Sequence, residues 1–187
     1  MRRKQELLVG EWAVLALLCE RPLHGYAIAG LMAPDGEVGQ IWSLSQQLTY
    51  RTLRGLQSLG LAEVSAVTPG SAAPRRTEWT ATTAAKRSVA RWLRTPERRI
   101  RELRPNLLLK LHLLHRRGRS PLPLLRAQRD LLVDTLEQLD AAGADTDVQP
   151  TALIVAWRRA MAAAALEFVE QTLAREHRAR DDRVPSG

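Results

Sequence analysis

The chain has 187 residues, 45% of them hydrophobic and 26% charged, a composition that excludes a disordered chain and fits a folded soluble protein. Its formal net charge of +8 favours a polyanionic partner, and its single cysteine, Cys19, excludes an intrachain disulfide and fits a reducing cytoplasm. No uncharged run approaches the roughly 18 residues of a membrane helix, so no membrane partner is expected and the protein reads as cytoplasmic.

The first residues, MRRKQE, lead into an apolar run that contains Glu11 and lacks a small-residue cleavage site, so no secretory signal is expected. Residues 6–20, ELLVGEWAVLALLCE, are apolar almost all round and predict a helix buried on several sides, ended by Pro22. Cys19 reads there as a small buried hydrophobe. Residues 24–32, HGYAIAGLM, predict a shorter helix whose start His24 fixes. Tyr26, Ile28, Leu31 and Met32 are expected to face a core, and a Pro34-Asp-Gly turn to end the helix. Residues 38–42 are predicted to run extended into the next element.

That element is the stretch 42–61, WSLSQQLTYRTLRGLQSLGL. Ser45 suits an N-cap, because its hydroxyl can accept a free amide hydrogen of the first turn, and Gly60 suits the C-terminal end. Leu48, Thr52, Leu53, Leu56 and Leu59 are assigned to the inner face; Gln46, Gln47, Tyr50, Arg51, Arg54, Gln57 and Ser58 to the outer one. The outer set has no carboxylate. It offers amides, a phenol and guanidinium groups, which read base edges and hold phosphates. A solvated helix face is the bland alternative; the helical pair before it, the basic hairpin after it and the basic chain weigh towards a winged helix-turn-helix. The predicted DNA-binding residues on this helix are Ser45, Gln46, Gln47, Tyr50, Arg51 and Arg54.

After Gly60 the apolar period changes to two. Residues 61–67 predict a strand, 68–74 a loop and 75–80 the return strand. Arg75 and Arg76 fringe the loop and are the predicted wing contacts to a minor groove or phosphate backbone. Thr82 or Thr83 can cap the following helix, which ends at Pro96. Leucine-rich helices follow over 103–116 and 121–142, then a turn from Gly143 and a last helix opened by Pro150, with residues 176–187 expected to fray. These helices expose more apolar surface than a small head can cover, which predicts a homodimer. The fold class is thus mainly α with a small β-hairpin wing: residues 1–96 a winged helix-turn-helix, residues 97–187 a helical dimerisation domain. The front is the more basic part, with 12 Lys and Arg against 7 Asp and Glu in residues 1–95, and 16 against 13 in residues 96–187.

Read together, several short motifs resemble the PadR family of bacterial transcriptional regulators. They are EWAVLALL from Glu11, PLHGY from Pro22, GQIWSLS from Gly39, LTYRTL from Leu48, GL at Gly60, RTEW from Arg76 and WLRTP from Trp92. The resemblance spans about residues 7–96, and the helical remainder resembles the longer members by pattern. Ala85 stands where the family usually has Gly, and Trp79 where it commonly has Tyr. The resemblance implies a homodimeric DNA-binding protein, usually a repressor, that recognises an inverted repeat in double-stranded DNA. It also implies a small planar or phenolic effector, which no residue pattern here reveals.

Other chemistries find little support. His112 and His115 lie three apart on a helix without an accompanying Cys or carboxylate signature, so no metal is expected. Asp145 and Asp147 have no partner motif for acid–base work, no phosphate-binding glycine loop occurs, and neither a cofactor nor an enzyme activity is predicted. The five tryptophans read as core. Trp92, with Trp12, is the candidate effector platform because it lies between head and dimer helices. The second functional class is a winged-helix protein-interaction module that does not read DNA.

Overall fold

The computed structural model describes residues 7–68, 76–144 and 151–181. In chain order its elements are α1 (Val9–Leu18), β1 (Leu23–His24), α2 (Gly25–Met32), α3 (Gln46–Ser58), β2 (Ala62–Thr68), β3 (Arg76–Ala81) and α4 (Thr83–Trp92). They are followed by α5 (Ile100–Glu102), a π-helical turn (Leu103–Leu107), α6 (Leu108–Arg116), α7 (Leu122–Ala144) and α8 (Thr151–Asp181). The fold is mainly α with a three-stranded antiparallel sheet in the order β1-β3-β2. The β2–β3 hairpin is the wing. The strand β1 was not foreseen, because two residues carry no periodicity; it exists by pairing Leu23 with Trp79 and His24 with Glu78.

Packing divides the chain into two compact units, Met1–Leu93 with Leu108–Arg117, and Arg94–Leu107 with Gly118–Gly187. The single boundary expected after residue 96 is corrected by α6, which belongs to the first unit. The reason lies in its side chains. Leu109 and Leu113 are fully buried, and Lys110 lies 5.0 Å from the centroid of the Trp92 ring. Arg117 donates to the Ala16 carbonyl oxygen at 2.7 Å, a second donor to a C-terminal group of α1 that also accepts from the Cys19 N–H at 3.1 Å.

The core of the first unit forms around α1, where residues 13–18 are 0–1% exposed. Ile28, Met32, Leu53, Leu56, Val89 and Leu93 are buried with them, and Trp79 is buried at the centre of the sheet between Leu23 and Val64. Helix α2 buries Gly25, Ile28, Ala29 and Met32, which share one stripe. Tyr26 is 75% exposed, against expectation, because one residue's displacement turns it about 100° from that stripe.

In the second unit α7 and α8 pack along each other and bury Leu124, Leu125, Leu132, Ala162, Val169 and Leu173. The π-helical turn falls around Pro105, whose ring and missing N–H are incompatible with regular α-helical bonding. Helix α7 runs through Gly143 and Ala144, where a turn was expected, and α8 continues to Asp181 instead of fraying from residue 176. Beyond Leu173 that helix is sustained by strong helix formers, with Arg178 and Arg180 in its last turn favourably placed against the dipole. Asp145, Asp147 and Pro150 lie outside the described residues.

Gln128 is fully buried in α7. Its Oε1 accepts from the Glu97 backbone N–H at 2.7 Å, and its Nε2 donates to the Glu97 carbonyl oxygen at 3.0 Å. One amide thus replaces both of the hydrogen bonds that Glu97 gives up to enter the interior. Gln128→Leu keeps the bulk and removes both bonds, so chemical denaturation should show a loss of about 1–3 kcal/mol. An unchanged midpoint and slope would show that water replaces the amide.

Candidate nucleic-acid interface

Helix α3 is built as the sequence predicts at both ends. Ser45 is the N-cap, and its Oγ accepts from the Leu48 N–H at 3.3 Å. At the other end Gly60 adopts φ +69°, donating to Gln57 O while Leu61 N–H donates to Leu56 O, each at 2.9 Å. This is the double closure that needs a left-handed residue after the helix. Thr82 Oγ1 donates to Gly60 O at 3.0 Å and accepts from Ala85 N–H at 3.3 Å, so one hydroxyl ties the end of α3 to the start of α4.

The approach to α3 is a wrapped turn, not the extended segment expected over residues 38–42. Val38 and Gly39 N–H both donate to Leu31 O at 3.0 Å, Gly36 N–H to Ala33 O at 2.8 Å, and Leu44 N–H to Met32 O at 2.9 Å. The open carbonyls at the end of α2 are thereby used by the turn itself. Such close backbone contact leaves no space for side chains. A Cβ at Gly39 would stand 1.7 Å from Ala33 O, and one at Gly36 would stand 2.2 Å from Gly30 O.

An ionic cluster holds this turn from the other side. The Arg116 guanidinium on α6 grips Glu20 through Nη2 at 2.9 Å and Nε at 3.2 Å, and also pairs with Glu37 in the turn. Its hydrogen bonds to the Glu20 and Glu37 carboxylates push its pKa up and keep it charged. His112 Nε2 lies 3.5 Å from Glu37 Oε1. His115 is exposed, and among the described residues no group of three His, Cys, Asp or Glu side chains stands together as a metal site would require.

With the ends fixed, the faces of α3 are defined by burial. Thr49, Leu53 and Leu56 face inward, while Ser45, Gln46, Gln47, Arg51 and Arg54 are exposed. Leu48 and Leu59, assigned to the inner face, are 47% and 40% exposed. The spacing i, i+4, i+7 holds for Thr49, Leu53 and Leu56, and Leu48 lies about 100° round the helix from Thr49. Leu48 is apolar but lies off the stripe that Thr49, Leu53 and Leu56 set. Tyr50 departs in the opposite sense. It is half-buried, its ring so close to α2 that a Cβ at Gly25 would meet Cε1 at 2.5 Å. Its ring braces α3 on α2.

Arg51 and Arg54 make no ion pair or hydrogen bond among the described residues. Helix α3 itself contains no acidic residue. In the wing, Arg76 opens β3, and Arg75 lies outside the described residues. Trp12 and Trp92 stack on each other, with ring centroids 4.9 Å apart and planes 4° from parallel. With Lys110 also over the Trp92 ring, the chain's own groups already use aromatic surface that a flat ligand would need.

No protein-family model matches the chain, and no curated protein matches it in sequence. Among solved structures it is similar to Bacillus subtilis PadR in complex with operator DNA, at 20% identity over 91% of this chain and 99% of that one, with a TM-score of 0.47. It is also similar to smu.1604c from Streptococcus mutans UA159 (17% identity, 88% and 98% covered, TM-score 0.42). A third is the PadR-like transcriptional regulator BC1756 from Bacillus cereus (19% identity, 93% and 99% covered, TM-score 0.41).

The ionic cluster gives a pH test. Burial pushes the His112 pKa down, and the nearby Glu37 carboxylate only partly opposes it. Because the folded pKa lies below the unfolded value of about 6.5, the unfolded chain takes up the proton first. The stabilisation from neutral His112 is intact above about pH 6.5 and is lost as pH falls below it. Urea midpoints measured between about pH 7.5 and 5.5 should fall with pH in the parent and fall less in His112→Gln. Identical pH profiles would remove His112 from the account.

Proposed function

We propose that this protein is a PadR-type DNA-binding transcriptional regulator that acts as a homodimer on double-stranded DNA. The observation that carries the proposal is the outer face of α3. Gln46, Gln47, Arg51 and Arg54 are exposed there, the helix has no carboxylate, and both arginines are without an ion pair among the described residues. Guanidinium and amide groups match the acceptor and donor edges of purines in the major groove, and an exposed carboxylate would repel the phosphates beside them. Arg75 and Arg76 of the wing are assigned to the flanking backbone or minor groove. Repression at an inverted repeat and release by a small planar or phenolic effector complete the reading. An effector at Trp12 and Trp92 would have to open their stack.

Operator titrations of Arg51→Ala and Arg54→Ala, on a duplex selected from a random pool, test the face directly. Loss of a base contact should cost about 1–3 kcal/mol and relax one position of the site. Loss of a phosphate contact should weaken all sequences alike and lower the salt slope by about one. Parent-like affinity in both variants, with helical content intact, would remove α3 as the reading element.

A second copy of the chain is proposed to cover α8. Ile154, Trp157, Met161 and Phe168 recur at helical spacing along it and are exposed. Trp157 and Met161 also line a cleft of about 940 Å³ within the second unit, together with Arg98, Arg104 and Arg158. Exposed aromatic and aliphatic side chains in one stripe favour self-association of twofold symmetry. Because α6 belongs to the first unit, cutting after residue 96 would strip that unit of part of its core. Charge on the stripe is the cleaner perturbation. Trp157→Glu combined with Met161→Glu should turn a dimer into a monomer in sedimentation and weaken operator binding, since one half-site is lost. A parent that sediments as a monomer would overturn the dimer.

A further inference from the structure

We propose that Leu48 is a specificity residue that reads the 5-methyl group of a thymine in the major groove, an inference that rests on the DNA-binding reading of α3. Leu48 is 47% exposed in the first turn of that helix, directly after Gln47 and one turn before Arg51, both of which are exposed. The inner face does not need it, since Thr49, Leu53 and Leu56 are the buried residues of α3. Leu59 is also exposed, but it is the C-cap at the far end.

The position makes the leucine more telling. It stands three residues after the Ser45 cap, where Glu or Gln would reach back to the cap's N–H and close a capping box. Leucine forgoes that bond. Glutamate there would also have brought a carboxylate beside the exposed Arg51. What the site carries instead is an apolar branched end on an otherwise polar face. Helices of this kind present their N-terminal residues to base edges. Among the groups displayed by the major groove, the thymine methyl is the apolar one, and aliphatic contact is how it is recognised. Removing water between the leucine and the methyl supplies the preference. The same surface gains nothing from cytosine, which presents a C–H there and an amino donor that leucine cannot accept.

The magnitude follows from one buried carbon. Transfer of a single methyl-sized group out of water corresponds to about a fourfold change in affinity, and roughly fifteenfold when both half-sites of a symmetric duplex are changed. The experiment uses the full chain and a duplex selected from a random pool, in which each thymine is replaced in turn by deoxyuridine. That exchange deletes the methyl and leaves the pairing edge unchanged. At one thymine per half-site, deoxyuridine should weaken the parent about fourfold and leave Leu48→Ala unaffected. Leu48→Met, which keeps an apolar end, should retain the sensitivity. Binding to a scrambled duplex should be equal for all three proteins.

Equal deoxyuridine sensitivity in the parent and Leu48→Ala would overturn the proposal, as would a parent indifferent to every replacement. A parent that shows no preference for any duplex sequence would instead overturn the DNA-binding reading, and this proposal with it.

Discussion

A helix without a polar face has to be surrounded. Between Trp12 and Cys19, α1 has only Ala, Val and Leu side chains, and every one of them is buried. Helices α2, α3 and α4 and strand β3 pack against it, each contributing buried apolar side chains. Helix α6 joins them from beyond the wing and α4, and its Arg117 caps the carbonyl of Ala16. Burial of this kind is worth about 1.5–3 kcal/mol for each large side chain, so the arrangement of every other element in the first unit is subordinate to it.

Placing α3 on such a core is a problem of close approach. Gly10 in α1 admits Leu44, whose Cδ2 would be 3.1 Å from a Cβ there, and Gly25 in α2 admits the ring of Tyr50. Gly36 and Gly39 let the turn fold back over the end of α2. Arg116, paired with both Glu20 and Glu37, then ties the end of α1 to that turn. Removing one partner from a half-buried cluster of this sort leaves the other charge poorly solvated, so the pairs act as a unit. The inner contacts are stiff and apolar, and the outer face is left free of internal obligations. That division is what a reading surface requires: side chains that are held in place but not already bonded.

The second unit is organised differently. Its helices bury leucines and small residues between α7 and α8, yet α8 leaves Ile154, Trp157, Met161 and Phe168 in solvent. The first unit also exposes apolar side chains, but Tyr26 and Leu48 lie on different helices, whereas the four of α8 recur along one. Gln128, spent wholly on Glu97, fastens the incoming chain to α7 without adding to that stripe.

Much of this was legible in the chain. The all-apolar residues 13–18, the Ser45 and Gly60 punctuation of α3, the strand period after Gly60, Thr82 as a cap and the two long helices with leucines at helical spacing are local signals. They follow from backbone propensity and from the period of burial, which act over one or two turns. What the sequence could not decide is which of two plausible neighbours claims a side chain. Leu48 and Tyr26 looked like core residues because they are apolar, and the packing of α1 and α2 left both outside. Tyr50 looked like a contact residue and was claimed by Gly25. Trp12 and Trp92, 80 residues apart, were the candidate effector platform, and they stack on each other with Lys110 beside them. Helix α6 looked like part of the C-terminal half and serves the head. Each of these outcomes depends on contacts between residues distant in sequence, where geometry in three dimensions, and not residue type, determines which surfaces are shut off from water.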